Sequence, residues 1–220
     1  MSYYAVSDTT VIAVNPKAGS MAMKSSISLT PFAEVTAELA LAYDRRVMFV
    51  RDPIERVNSL FNMFYHLASG SSDFGEMVPH GIILAYGVRV GSFVGLNDHR
   101  YVGETRALCE ARIAAERAAG LSDTQIINKL NNEDYKRFID YILAGSQNDH
   151  WGQQTELSTH NGQLVPNILH DFNTIATYWQ DYATAPIQKE NSWPAVAHDE
   201  YRLADLRAFY ADDIALMGTL

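Results

Sequence analysis

The sequence contains a single cysteine, Cys109. No disulfide can form within the chain, so its fold does not depend on an oxidising compartment. Basic residues are in deficit, with 17 Lys and Arg against 26 Asp and Glu and a formal net charge of −9 at pH 7. That balance excludes nucleic-acid binding through a broad basic surface, which needs clustered Lys and Arg to neutralise phosphates. It leaves room for a small anionic ligand, because one cleft with a local cation and oriented backbone N–H groups is enough. No run approaches the roughly 20 apolar residues of a membrane span, and the opening MSYYAVSDTT lacks the basic stretch and apolar core of a secretion signal. The expectation is a chain without a membrane partner, in the cytoplasm. The Walker pattern GxxxxGK[ST] is missing, which argues against an ordinary ATP or GTP loop. His150, His160 and His170 recur evenly but match no zinc spacing and lack cysteine partners, so no metal is expected.

What is present is an ordinary globular composition: 220 residues, 47% hydrophobic and 20% charged. It fits one domain over residues 1–220. The β-branched run Thr10–Val14 reads as a strand that ends abruptly in Asn15, Pro16, Lys17, Ala18, Gly19 and Ser20, with a helix able to start at Met21. Val47–Val50 reads as a second strand, followed by Arg51, Asp52 and Pro53, the last suited to a first helical turn. Apolar residues at Ile54, Val57, Leu60, Phe61, Phe64 and Tyr65 then give a helix its buried stripe. Ala68–Gly103 stays unassigned, while Glu104–Ala119 reads as an exposed helix. Glu133–Leu143 looks helical, Gly145–Gly162 reads as a long polar loop and Leu164–Phe172 holds a late strand. Thr174–Tyr182 forms a short helix and His198–Met217 a closing one. Strands alternating with helices predict an α/β fold, a parallel sheet covered on both faces, with ligands beyond the carboxyl ends of the strands.

Both turns at those ends carry chemistry. Lys17, Gly19 and Ser20 offer a cation, a backbone that a ligand can approach closely, and a hydroxyl beside free helix N–H groups; together they form a phosphate cradle, or else a simple surface turn. Arg51 ends the second strand and Ser59 lies two helical turns on, so a guanidinium and a hydroxyl can share one phosphate. The structural alternative pairs Arg51 with Asp52 or Glu55 and turns Ser59 toward a neighbouring helix.

PKAGS after the first strand and FVRDPIERVNS after a later one resemble the two cofactor signatures of the sulfotransferase superfamily. The fold implied is a three-layer, P-loop-like α/β arrangement, a central parallel sheet flanked by helices. The resemblance assigns the 5′-phosphosulfate of 3′-phosphoadenosine 5′-phosphosulfate (PAPS) to Lys17, Ala18, Gly19 and Ser20, with Lys24 near. It assigns the 3′-phosphate to Arg51 and Ser59. Asp149, His150, Trp151, Gly152, Gln153 and Gln154 resemble the histidine–tryptophan segment of the carbohydrate sulfotransferase branch, and YRLADLRAFYADDIALM resembles its closing helix. Two positions depart from the family: Met21 stands where a second hydroxyl residue is usual, and HWGQQ lacks the proline that often precedes the glutamine.

The activity implied is sulfuryl transfer from PAPS to an acceptor hydroxyl, a carbohydrate among the candidates, with adenosine 3′,5′-bisphosphate (PAP) as product. Lys17 is the expected leaving-group cation and His150 the expected base, oriented by Asp149; His66 and His80 are the next choices for the base. Trp151, Trp179 and Trp193 are either stacking platforms for a sugar or adenine, or core. The competing expectation is a nucleotide-binding module of the same fold without transferase activity, motivated by Met21.

Overall fold

The computed structural model of the chain describes residues 1–15, 23, 33–68, 111, 114–145, 151–182, 186–187 and 195–220. It divides into two compact units: residues 1–57, 147–192 and 207–220 form the first, and residues 58–146 and 193–206 the second.

The first unit contains the strands found among the described residues. Ser2–Ala5 (β1), Thr10–Val14 (β2), Ala33–Val35 (β3) and Arg45–Val50 (β4) are followed by the small hairpin Thr159–His160 (β5) and Gln163–Leu164 (β6), then by Ile168–Asp171 (β7). Five of them form one sheet in the order β3-β1-β2-β4-β7, while β5 and β6 pair separately. β2, β4 and β7 run parallel, as the sequence leads one to expect, but β1 is antiparallel to both β2 and β3. Among the described residues the protein is therefore α/β with a mixed, five-stranded sheet, not a wholly parallel one. The reason is local: only Val6–Thr9 separates β1 from β2, and so short a link makes a hairpin, whereas a parallel pair needs a crossover of a dozen residues or more. Val6 N–H closes that turn on the Thr10 carbonyl at 2.9 Å.

Alternation along the central strands buries both faces. Ile12, Val14, Val47 and Phe49 point to one side, against Met23 and Trp179. Val11, Ala13, Met48 and Val50 point to the other, against Ala40 of the short helix Ala37–Ala40 (α1) and Val165. Each Val, Ile, Met or Phe among them contributes about 1.5–3 kcal/mol relative to exposure, which is why Val11–Val14 and Val47–Val50 read as unbroken apolar runs. At their opening ends, β4 and β7 are pinned by Asn167, whose Oδ1 accepts from Arg46 N–H at 2.8 Å while its own N–H donates to the Arg46 carbonyl at 2.8 Å.

Pro53–Ala68 (α2) follows β4 with Pro53 at its first position, as expected, beginning in the first unit and ending in the second. In the second unit Asp123–Leu143 (α3) starts ten residues before the expected Glu133. Its N-terminus is a capping box in which Ser122 accepts from Gln125 N–H and the Gln125 side chain accepts from Ser122 N–H. Ile126, Tyr135, Phe138, Ile139 and Ile142 form its buried stripe. Phe61 lies edge-on to Tyr135 with ring centroids 5.0 Å apart. Burial pushes the Tyr135 hydroxyl up to about 12.

The expected loop Gly145–Gly162 proves more ordered than its polarity suggests. Trp151 and Gln154 are buried, Gln154–Leu157 (α4) is helical, and Asn161 and Gly162 both take positive φ to close the β5–β6 hairpin. Phe172–Thr174 and Trp179–Asp181 are 3₁₀ turns on either side of Ile175–Tyr178 (α5). The expected closing helix is two, Leu203–Phe209 (α6) and Ala211–Met217 (α7). Residues 195–200 lie outside regular structure.

Trp179 is fully buried on one face of the sheet. Trp179→Ala should therefore cost about 3–5 kcal/mol, the usual range for emptying so large a core site. Urea denaturation measures it, and a loss below about 1 kcal/mol would contradict this packing.

Candidate functional site

The carboxyl ends of β2 and β4 are where the sequence places its chemistry. The last registered pair of their ladder is Ala13 with Met48. Beyond it, Asn15 and Arg51 are joined through Gln154, whose Oε1 accepts from Asn15 Nδ2 at 2.8 Å and from Arg51 N–H at 3.1 Å. The Gln154 Nε2 donates to the Arg51 carbonyl at 2.7 Å. Asn15 and Gln154 are fully buried.

Arg51 stands where the sequence predicts, on the residue after β4. Its guanidinium lies over the Phe172 ring, 5.3 Å from the centroid, and its Nε is 3.8 Å from Glu55. The expected alternative partner Glu55 is thus engaged. Asp52 instead caps α2, its Oδ1 accepting from Ile54 N–H and Glu55 N–H at 2.9 Å each. Burial lowers the Arg51 pKa from its ordinary value, and Glu55 and Asp52 oppose that shift. The side chain keeps its charge and is 22% exposed at the rim of the sheet. Ser59 is half-buried two turns along α2 and belongs to the second unit. Lys17, Ala18, Gly19, Ser20, Lys24 and His150 lie outside the described residues, as do Met21, His80, Asp149 and Trp193. Nothing is described of the His66 side chain.

The part of the histidine–tryptophan segment that is described serves as a buried junction. Arg56, with no exposure, donates from Nη2 to the carbonyls of Trp151 and Gly152. The Tyr210 hydroxyl donates to the same Trp151 carbonyl. Arg56 Nη2 lies 3.9 Å from Asp213 Oδ2, both side chains being fully buried. Asp213 in turn accepts from Gln154 N–H at 2.8 Å, and from Thr155 N–H and Thr155 Oγ1 at 2.9 Å each. Its carboxylate caps α4 from a distance in sequence, since Gln153 at the cap position makes no side-chain bond of its own there. Burial lowers the Arg56 pKa, Tyr210 and Asp213 oppose the shift, and the nearby charge of Arg51 adds to it. Burial also raises the Tyr210 hydroxyl well above its ordinary value.

No family model, curated protein or solved structure matches this chain.

Arg56, Gln154 and Asp213 had no role assigned from sequence, yet two of them carry a legible signal. Pro53, Arg56, Val57 and Leu60 are buried at helical spacing, so Arg56 occupies a core position. Leu206, Tyr210 and Asp213 are buried at the same spacing, which places Asp213 on the inner side of the closing helices. A charge on an apolar stripe implies a buried partner.

Among the other candidates, Trp151 and Trp179 are buried, which makes them core and not stacking platforms. His170 Nε2 bonds the Tyr182 hydroxyl at 2.7 Å, and its ring stacks on Tyr178. Among the described residues no three His, Cys, Asp or Glu side chains gather as a metal site.

Asp213→Asn leaves the Arg56 charge stranded, so it should cost about 3–5 kcal/mol in denaturant unfolding; a loss below about 1 kcal/mol would mean that Arg56 does not need this carboxylate. Burial lowers the His170 pKa, reinforced by Arg45 and opposed by Asp181. As pH falls through about 6.5, the unfolded chain then takes up a proton that the folded state resists, so stability falls. The difference in stability between about pH 7.5 and about pH 5.5 should shrink in His170→Gln; an unchanged difference would contradict this assignment.

Proposed function

We propose that the chain is a sulfotransferase with a P-loop-like fold that binds PAPS and moves its sulfuryl group to an acceptor hydroxyl. The observation that carries this reading is the parallel pairing of β2 with β4. It brings the roots of the two signature loops side by side at one edge of the sheet, where an α/β protein binds its ligands. The histidine–tryptophan segment supplies Gln154, which bonds to both roots. Arg51, charged and partly exposed at that edge, fits an oxyanion of the donor.

On this reading Lys17, Ala18, Gly19 and Ser20, with Lys24 near, hold the 5′-phosphosulfate, and Arg51 and Ser59 hold the 3′-phosphate. The donor supplies a sulfuryl group on a good phosphate leaving group. The acceptor oxygen bonds to sulfur as the bond from sulfur to the bridging phosphate oxygen breaks, and that electron pair stays on the phosphate. Lys17 stabilises the charge developing there, which is binding gained mainly in the transition state. His150 takes the acceptor proton, oriented by Asp149. The acceptor is a hydroxyl compound, with carbohydrates the first class to screen. The second reading, a nucleotide-binding module that has lost turnover, is favoured by Met21 at a position where the family usually offers a hydroxyl.

In a thermal-shift titration PAP should stabilise the protein, by about 2.7 kcal/mol at about a hundred times its Kd. ADP, which lacks the 3′-phosphate, should do so far less. Lys17→Ala and Arg51→Ala should weaken the PAP effect, and parent-like binding by both variants would contradict the two-loop assignment. Release of PAP from PAPS with any hydroxyl acceptor would eliminate the inactive-module reading.

A further inference from the structure

The β2–β4 ladder stops at Ala13 and Met48, two residues short of Asn15 and three short of Arg51. Over that last stretch a side chain, and not the sheet, links the two segments. Gln154 uses both ends of its amide there: Oε1 toward Asn15 Nδ2 and Arg51 N–H, Nε2 toward the Arg51 carbonyl. Reversing the amide would set donor against donor at Arg51 N–H and acceptor against acceptor at the Arg51 carbonyl, so the rotamer has one satisfied orientation. The backbone that carries it is fixed too, because Gln154 N–H donates to Asp213.

We infer that Gln154 is a positioning residue for the donor: it sets the spacing between Asn15, from which the chain leads on to Lys17, and the strand end that presents Arg51. The inference rests on the sulfotransferase reading and adds to it a residue that touches neither the donor nor the acceptor. On that reading a ligand with phosphates at both ends of a nucleoside is held by two segments at once, so its affinity depends on their separation. A drift of about one ångström is enough to matter. Thr155 provides the contrast, because its hydroxyl donates to the same Asp213 and not to Asn15 or Arg51.

The experiment is PAP titration by calorimetry on the parent, Gln154→Met, Asn15→Ala and Thr155→Val, at a temperature where circular dichroism shows each protein folded. Parent and Thr155→Val should bind alike, while Gln154→Met and Asn15→Ala should each lose at least about tenfold in affinity. If Gln154→Met does not fold, Asn15→Ala carries the comparison, since it removes a single bond of the clamp. A parent that fails to bind PAP overturns the sulfotransferase reading and this inference with it. Binding by the parent with clamp variants within about twofold of it overturns the inference alone.

Discussion

Arg56 is the side chain around which the first unit is arranged. A guanidinium taken entirely out of water is costly, and it persists only where carbonyls and a carboxylate surround it. Trp151 and Gly152 provide the carbonyls, Asp213 the carboxylate and Tyr210 a ring 5.8 Å away. Three segments far apart in sequence are thereby committed to one another: the start of α2, the turn before α4, and the helix α7. Asp213 passes the constraint on, because the carboxylate facing Arg56 also accepts from Gln154 N–H, and Gln154 then reaches the ends of β2 and β4. A buried charge thus determines where an uncharged amide stands at the edge of the sheet.

That chain of contacts gives a physical reason for the company these sequence segments keep. A strand–turn–helix unit with a basic residue at its turn is common, and alone it says little. Two segments with basic residues that follow adjacent parallel strands, their roots tied by a glutamine from a third segment, form a more specific arrangement. On the proposed reading it brings two anion-binding elements to one sheet edge in a protein that is acidic overall. The local focus of positive charge then has a defined address at the strand ends, consistent with a small anionic ligand and not with a polyanion spread over a broad surface.

Much of this frame was legible in the sequence. Val11–Val14 and Val47–Val50 are apolar throughout because the sheet buries both their faces, and Pro53 with the stripe from Val57 to Phe61 marks α2. β1 was not legible as a strand partner: Ser2–Ala5 is short, and its antiparallel pairing follows from the brevity of the Val6–Thr9 link. The segment after Gly145 misled for another reason. Its residues are polar, yet Gln154 and Ser158 are fully buried with their hydrogen bonds made internally, a distinction that polarity alone does not carry. Asn161-Gly162 did hold a hairpin signal, since both residues suit the positive φ that such a turn demands. In the candidate site, Arg51 was placed correctly from the end of its strand. The clamp was missed because Gln154 finds its partners 103 and 139 residues away in the chain.

The central claim is that the segments following β2 and β4 serve one ligand together. Hydrogen–deuterium exchange with PAP tests it most directly, by reading backbone protection along the whole chain. Saturating PAP is expected to slow exchange in residues 15–24 and 51–59 at once, in the parent protein. Protection confined to one of those segments, or found only elsewhere, would contradict it.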